Sequence, residues 1–254
     1  MALSTAQKFP IFIIGSPRSG TSMLHWALCQ HEMLWGSEES ELLVPMLRYL
    51  ERIYYQAKQF EGRNWLEAQQ VDKDEFYLHM GKGIEALYAS RAGHCHWIEQ
   101  TPSNTWVLPG ISRLFPSARY LYIHRDGRQV VESMTSMWPW SFRKAARTWR
   151  DGNRHALRFE RDFPHSTRRV SYESLVQNPN NELQAIWQFL GLKPCRESAR
   201  FISDKQPINA SPDHRDQDRM QKLVPRFDKW PLSKRLVFGK IAGQQMLDLG
   251  YWDL

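Results

Sequence analysis

The sequence predicts an α/β protein, a parallel central sheet flanked by helices. Short apolar runs alternate with longer segments of helical spacing, the pattern of a parallel sheet wrapped by its crossover helices. The first run, Phe9–Ile14, ends at a glycine-rich turn that opens a helix. Ligands of such folds bind beyond the carboxyl ends of the strands, so the residues that follow each run are the ones to read for chemistry. With 254 residues, 42% of them hydrophobic and 24% charged, the chain can bury a full core and falls near globular averages. No repeat, low-complexity tract or Pro/Gly/Ser linker divides it, so residues 1–254 read as one domain.

Phe9–Ile14 (FPIFII) has the β-branched, uniformly apolar character of a buried parallel strand. Thr21–His31 then carries helical spacing through Met23, Leu24, Ala27 and Leu28. Ser40–Lys58 continues as a helix with Leu42, Leu43, Met46, Leu47 and Leu50 on one side. Asp72–Ala92 is a further helix whose acidic opening complements the positive end of its dipole. His96–Glu99 is a second strand, followed by the turn signal Thr101-Pro102 and a helix near Asn104–Phe115. Ala118–His124 is the third strand and Gly127–Met137 the helix after it. Ala145–Phe163 is an amphipathic helix, Arg168–Ser171 the fourth strand, and helices follow near Tyr172–Leu175, Asn181–Leu190 and Pro231–Leu249.

Bulk properties narrow the function. A net charge of +7 and a pI near 9.4 favour anionic partners, but the basic residues are scattered, and a solvated basic surface accounts for them equally well. No nucleic-acid partner is expected. Cys29, Cys95 and Cys195 are odd in number and widely spaced, which fits reduced thiols in the cytoplasm and neither a disulfide framework nor a zinc site. No window approaches the ~18 apolar residues of a membrane span, and Phe9–Ile14 is too brief for a signal-peptide core. A cytoplasmic protein is the expectation, with a homodimer left open.

Gly15-Ser16-Pro17-Arg18-Ser19-Gly20-Thr21-Ser22 stands where a loop that cradles phosphate belongs. Glycines let backbone N–H groups approach an anion, and the helix N-terminus favours negative charge. The Gly15–Gly20 spacing matches a Walker A loop, but Thr21 occupies the place of its lysine and the cation has moved inside the loop as Arg18. No clear magnesium ligand follows an apolar run. A second segment, Tyr120 to Arg128 (YLYIHRDGR), ends a strand and enters a helix carrying Ser133. Arg125 at that strand end can grip a phosphate through two nitrogens; taken alone, such a segment is more often a structural Arg–Asp helix cap.

Together these segments resemble the sulfotransferases that use 3′-phosphoadenosine 5′-phosphosulfate (PAPS), whose fold is related to that of P-loop NTPases. The resemblance runs from Phe9 to Tyr251 and is strongest to the branch containing the tyrosylprotein sulfotransferases and many bacterial relatives, which share a Pro-Arg-Ser-Gly-Thr loop. It implies that Arg18, Ser19, Gly20, Thr21 and Ser22 bind the 5′-phosphosulfate. It implies that Arg125 and Ser133 hold the 3′-phosphate, and that 3′-phosphoadenosine 5′-phosphate (PAP) is the product. Tyr172, in Tyr-Glu-Ser-Leu after the fourth strand, is a candidate nucleotide contact and equally a buried structural tyrosine. Asp204–Ser211, with Lys205, is a candidate loop over the adenine side.

In the tyrosylprotein branch a Gly-Glu-Glu-Thr-like segment supplies the general base, and Gly36-Ser37-Glu38-Glu39 stands at the matching place. Glu39 is the candidate to deprotonate an acceptor hydroxyl, with Glu38 the alternative if the register slips; acidic residues opening a helix have the same composition. Arg18 is the candidate to stabilise developing charge. The family's middle motif places a lysine before Thr-Pro, whereas this chain has Glu99-Gln100-Thr101-Pro102. Gln100 donates a hydrogen bond but no charge, which puts the rate in doubt. The histidines show no metal-binding spacing, and no metal is expected. The expected partners are PAPS and an acceptor that is a small molecule, a glycan or a tyrosyl group. Two alternatives stay open: a P-loop phosphotransferase, and a catalytically weakened protein that binds PAPS or PAP.

Overall fold

A computed structural model describes residues 8–59, 64–204 and 230–252. Five strands, β1 (Ile11–Ile14), β2 (Leu34–Gly36), β3 (His96–Glu99), β4 (Arg119–His124) and β5 (Thr167–Ser171), form one sheet in the order β2-β3-β1-β4-β5. Every pairing is parallel. β1 lies at the centre with all four residues buried, as its unbroken apolar composition requires. Its register with β4 runs from Ile11 opposite Arg119 to Ile14 opposite Tyr122.

Alternation along the strands sorts the core into two layers. Phe12, Ile14, Trp97, Tyr120 and Tyr122 face one side of the sheet. There they meet α2 (Leu43–Lys58), α4 (Lys73–Ala92), α5 (Leu108–Leu114) and, through Ala156 and Phe159, α7 (Phe142–Asp162). Ile11, Ile13, Ile98, Leu121 and Ile123 face the other side. These pack on α1 (Thr21–Leu28), α8 (Tyr172–Gln177), α9 (Pro179–Leu190) and α10 (Arg196–Asp204). A third cluster joins α6 (Gly127–Met137) and α7 to the last described helix, α11 (Leu232–Asp248), around Trp149 and Phe238. No helix of the described residues is long and apolar enough to cross a membrane.

The α/β architecture matches the sequence reading, with differences in detail. β2, of only three residues, was not expected, since so short a run carries no periodic signal; it earns its place by pairing with β3 at the sheet edge. The helix expected near Asn104–Phe115 is two pieces, a 3₁₀ turn at Pro102–Trp106 and α5, separated at Val107, whose φ of −126° breaks the helical run. α7 starts three residues ahead of the expected Ala145 because Ser141 caps it, accepting from the Lys144 N–H at 3.3 Å. α10 and the short α3 (Trp65–Ala68) were also unforeseen.

Phe12 is fully buried, stacked on Tyr120 with centroids 5.6 Å apart and edge-on to Trp97 at 5.5 Å. Phe12→Ala is expected to lower the unfolding free energy by about 3–5 kcal/mol in urea titrations. Tyr49→Ala, at a side chain 66% exposed on α2, should stay within about 0.5 kcal/mol of the parent.

Candidate active site

Because all five strands run the same way, their carboxyl ends share one edge of the sheet, and the candidate residues follow those ends. β1 leads into Gly15–Gly20, β2 into Ser37–Glu41, β3 into Gln100 and Thr101, β4 into Arg125 and Asp126, and β5 into Tyr172 and Glu173.

The loop after β1 is pressed into place from several directions. Gly15 lies so close to β4 that a Cβ there would stand 2.3 Å from the Ile123 carbonyl oxygen. The hydroxyl of Thr105, on the 3₁₀ turn, accepts from the Gly15 N–H and donates to the Gly15 carbonyl, both at 3.0 Å. The Ser19 N–H donates to the Ser16 carbonyl at 3.2 Å, which curls the chain. Arg18 then adopts φ 69° and Gly20 φ 100°. A left-handed arginine is uncommon, and such outliers gather at functional sites. α1 begins directly after Gly20 with no side-chain cap, and Ser19 Oγ is buried without a hydrogen-bond partner. Thr21 is buried and Ser22 half-buried in the first turn. An anion at this helix start fits both the uncapped N–H groups and the orphaned hydroxyl.

Arg18 joins the loop to the second motif. Its Nε donates to Ser133 Oγ on α6 at 3.0 Å. Burial lowers the Arg18 pKa first, the Arg125 charge lowers it further, and Glu39 opposes both. Arg18 thus sits within electrostatic reach of both Arg125 and Glu39. The Arg125 guanidinium lies over the Tyr172 ring at 4.1 Å and donates to Gln129 Oε1 from Nε at 3.2 Å and Nη2 at 2.9 Å. Tyr172 also underlies the loop, since a Cβ on Gly20 would meet its ring at 2.5 Å. The helix-cap reading of this motif holds as well, through other residues. Asp126 accepts from the Arg128 N–H at 2.9 Å and pairs with the Arg128 guanidinium at 2.5 Å, leaving Arg125 out of the cap.

The segment after β2 is tied to the end of β3. Thr101 Oγ1 accepts from the Ser40 N–H at 3.0 Å, and Ser103 Oγ donates to Glu41 Oε2 at 3.0 Å. Glu41 takes φ 50°. Glu39 is open to solvent, yet the protein around it is enough to raise its carboxyl above the usual range. The nearby charges of Glu41 and Glu99 add to that rise, and Arg18 counters it. Glu38 differs: it is fully exposed, and the hydrogen bond from Ser37 Oγ at 2.7 Å pulls its pKa down. Of the two, Glu39 has the environment of a base and Glu38 that of a solvated charge.

Glu99 is 3% exposed and already engaged by three donors: Tyr88 OH at 2.9 Å, the Thr101 N–H at 2.9 Å and Asn104 Nδ2 at 3.3 Å. Gln100 is 4% exposed, and its Oε1 has no partner. It continues the face of Ile98, the side packed by α1. The structure therefore places Arg18, Ser19, Gly20, Arg125, Ser133, Tyr172 and Glu39 beyond the carboxyl edge of the sheet, with Arg18 bonded to Ser133, and Arg125 and Gly20 both against Tyr172. Thr105, Thr101 and Glu173 support this arrangement and were not foreseen as site residues; Thr101 and Glu173 lie just beyond strand ends, Glu173 within the Tyr-Glu-Ser-Leu stretch, and Thr105 in the turn after β3. Among the described residues no group of His, Cys, Asp or Glu is arranged to hold a metal ion. Lys205 and the rest of its loop beyond Asp204 lie outside the described residues.

The profile of the sulfotransferase family matches residues 10–197. A Caenorhabditis briggsae protein described as a candidate protein-tyrosine sulfotransferase is 27% identical over 221 residues, covering 82% of this chain and 73% of its own length. Chicken protein-tyrosine sulfotransferase 2 is 24% identical, over 95% of this chain and 66% of its own length. An Aquifex aeolicus protein of 22% identity is matched over only 28% of its length, so the chain spans a minor part of some relatives. Among solved structures, the sulfotransferase domain of the Synechococcus PCC 7002 olefin synthase superposes with a TM-score of 0.63. It shares 20% identity and covers 100% of this chain and 98% of that domain. Mouse sulfotransferase SULT7A1, solved with PAP, gives 0.54 at 14% identity over 97% of this chain and 88% of its own. The glycine-rich loop, the parallel sheet that presents it and the profile across three quarters of the sequence converge: this chain belongs to the sulfotransferase family.

Proposed function

We propose that this chain transfers the sulfuryl group of PAPS to an acceptor hydroxyl and releases PAP. The observation that carries this reading is Arg18, left-handed in the loop, bonded to Ser133 and within electrostatic reach of both Arg125 and Glu39. One cation thereby links an anion cradle, a second phosphate-binding arginine and a carboxylate with raised pKa.

In the proposed reaction the acceptor oxygen attacks sulfur in line, the S–O bond to the 5′-phosphate breaks, and PAP leaves. Glu39 takes the acceptor proton, for which its raised pKa suits it better than an ordinary carboxylate. Arg18 and the N–H groups opening α1 neutralise charge gathering on the leaving phosphate oxygens. Arg125 holds the 3′-phosphate, and Tyr172 braces both Arg125 and the loop. Positioning and electrostatics do the work, as in phosphoryl transfer. The absence of a Walker lysine at Thr21 argues against a phosphotransferase. Gln100 favours one further reading, a slow enzyme or a PAP-binding protein, because an amide supplies no charge where the family has lysine. The three free cysteines fit a cytoplasmic setting.

Titration calorimetry should show micromolar or tighter PAP binding without metal and weaker binding of ATP with or without Mg²⁺; the reverse order sinks the proposal. Glu39→Ala is expected to lose transfer of labelled sulfate by about 10²–10⁴-fold while keeping PAP affinity. Unchanged transfer would remove Glu39 from the mechanism. Since the base works only when ionised, the rate should fall as pH drops through a value above the ordinary glutamate pKa of ~4.3. The same shift means that the Glu39 charge costs stability at neutral pH. Glu39→Gln should therefore raise Tm at pH 7–8, the gain fading as pH falls through the raised pKa towards 4. Gln100→Lys is expected to raise kcat, and a lower kcat with intact folding would count against a catalytic deficit at that position.

A further inference from the structure

The peptide group between Arg125 and Asp126 is held from both sides. Its carbonyl, that of Arg125, accepts from Trp149 Nε1 at 3.1 Å. Its N–H, that of Asp126, donates to Glu173 Oε1 at 3.0 Å. Fixing both ends of one peptide plane fixes its orientation, and Cα of Arg125, from which the side chain leaves, lies in that plane. Trp149 is fully buried in the cluster of α6, α7 and α11, which makes the carbonyl anchor rigid.

Glu173 is itself held. Its Oε2 accepts from Tyr251 OH at 2.7 Å and from Ser171 Oγ at 3.2 Å. The Tyr251 hydroxyl spends its single proton on Glu173, so the 2.9 Å contact between Tyr251 oxygen and His124 Nδ1 requires His124 to donate from Nδ1. Burial keeps His124 neutral by lowering its pKa to about 4, which is consistent with that tautomer. The residues on both sides of Arg125 are thus fastened through one carboxylate: His124 by way of Tyr251, and Asp126 directly. Glu173 also follows Tyr172, over whose ring the Arg125 guanidinium lies at 4.1 Å. The two residues of one helix turn hold the two ends of Arg125, Tyr172 the guanidinium and Glu173 the backbone.

We propose that Glu173, braced by Tyr251, is a positioning residue for Arg125 and sets how strongly the site prefers a nucleotide bearing a 3′-phosphate. This rests on the reading that Arg125 holds the 3′-phosphate. It adds that the preference depends on a carboxylate that touches no ligand and on a tyrosine about eighty residues further along the chain. Charge alone would make a carboxylate here unfavourable to an anion, so its benefit has to come from geometry. Arg128 offsets that charge in part: its bond to Asp126, with Glu173 contributing, holds its guanidinium firmly protonated.

The test compares PAP with adenosine 5′-monophosphate, which lacks only the 3′-phosphate, by titration calorimetry on the full chain. Arg125→Ala should weaken PAP by roughly 100-fold and leave the monophosphate within about twofold, as loss of a paired, charge-assisted contact predicts. Glu173→Ala should weaken PAP by roughly tenfold with the monophosphate unchanged, a loss of the size seen when groups behind a binding residue are removed. Glu173→Gln keeps an acceptor for the Asp126 N–H and should recover most of the loss. Tyr251→Phe should cost a few-fold in PAP affinity only. The double variant Arg125→Ala/Glu173→Ala should bind PAP no worse than Arg125→Ala, because Glu173 acts only through Arg125. Equal weakening of both nucleotides by Glu173→Gln and Tyr251→Phe would overturn the proposal in favour of a merely structural role, and so would unchanged PAP binding in all Glu173 variants. An Arg125→Ala protein that still prefers PAP would instead overturn the assignment of Arg125, and the positioning role with it.

Discussion

The turn from β1 into α1 leaves no space at two of its glycines, and the rest of the site is arranged around that close approach. Gly15 lies against the Ile123 carbonyl and Gly20 against the Tyr172 ring, so the loop touches β4 and the start of α8 through bare backbone. Thr105 closes the remaining side by bonding both polar groups of Gly15. Held this way, the loop keeps Arg18 in a left-handed conformation that costs on the order of 1–3 kcal/mol for a residue with a side chain. Packing that over-determines the backbone is what lets such strain persist, and the strain aims Arg18 at Ser133.

Electrostatics follow from the same geometry. Burial and then the Arg125 charge disfavour the charged form of Arg18, and Glu39 favours it. A pair of like charges partly removed from water is unfavourable until an anion arrives between or beside them. The acidic side shows the mirror image, with Glu41 and Glu99 raising Glu39. Each of the two charges is therefore held in unfavourable surroundings, Arg18 by burial and a neighbouring cation, Glu39 by burial and neighbouring carboxylates. Stability is spent on both, the usual relation between a site and its fold.

Much of this was legible from residues alone where a local rule applied. Phe9–Ile14 read as a buried strand, Gly15–Gly20 as a tight turn before a helix, and Thr21 in place of lysine as a departure from the Walker loop. Glu39 was legible as a carboxylate in the right place, but what separates it from Glu38 is surroundings. Glu38 bonds to the neighbouring Ser37 and is fully exposed, while Glu39 has Glu41, Glu99 and Arg18 about it. β2 was missed because three residues show no period, and the 3₁₀ turn was merged with α5 because apolar spacing does not record one residue leaving helical torsions.

The sequence by itself determined the α/β class, the family and the residue types at each strand end, because these depend on neighbours within a few positions of the chain. Only the tertiary structure decided who meets whom. Thr105 reaches back ninety positions to Gly15, Ser133 meets Arg18 across 115, and Tyr251 reaches Glu173 across 78. Such contacts arise from strand order and from helices crossing between layers, and composition and spacing do not encode them. The family loop could be read in advance; the contacts from Trp149, Glu173 and Tyr251 around the Arg125–Asp126 peptide could not.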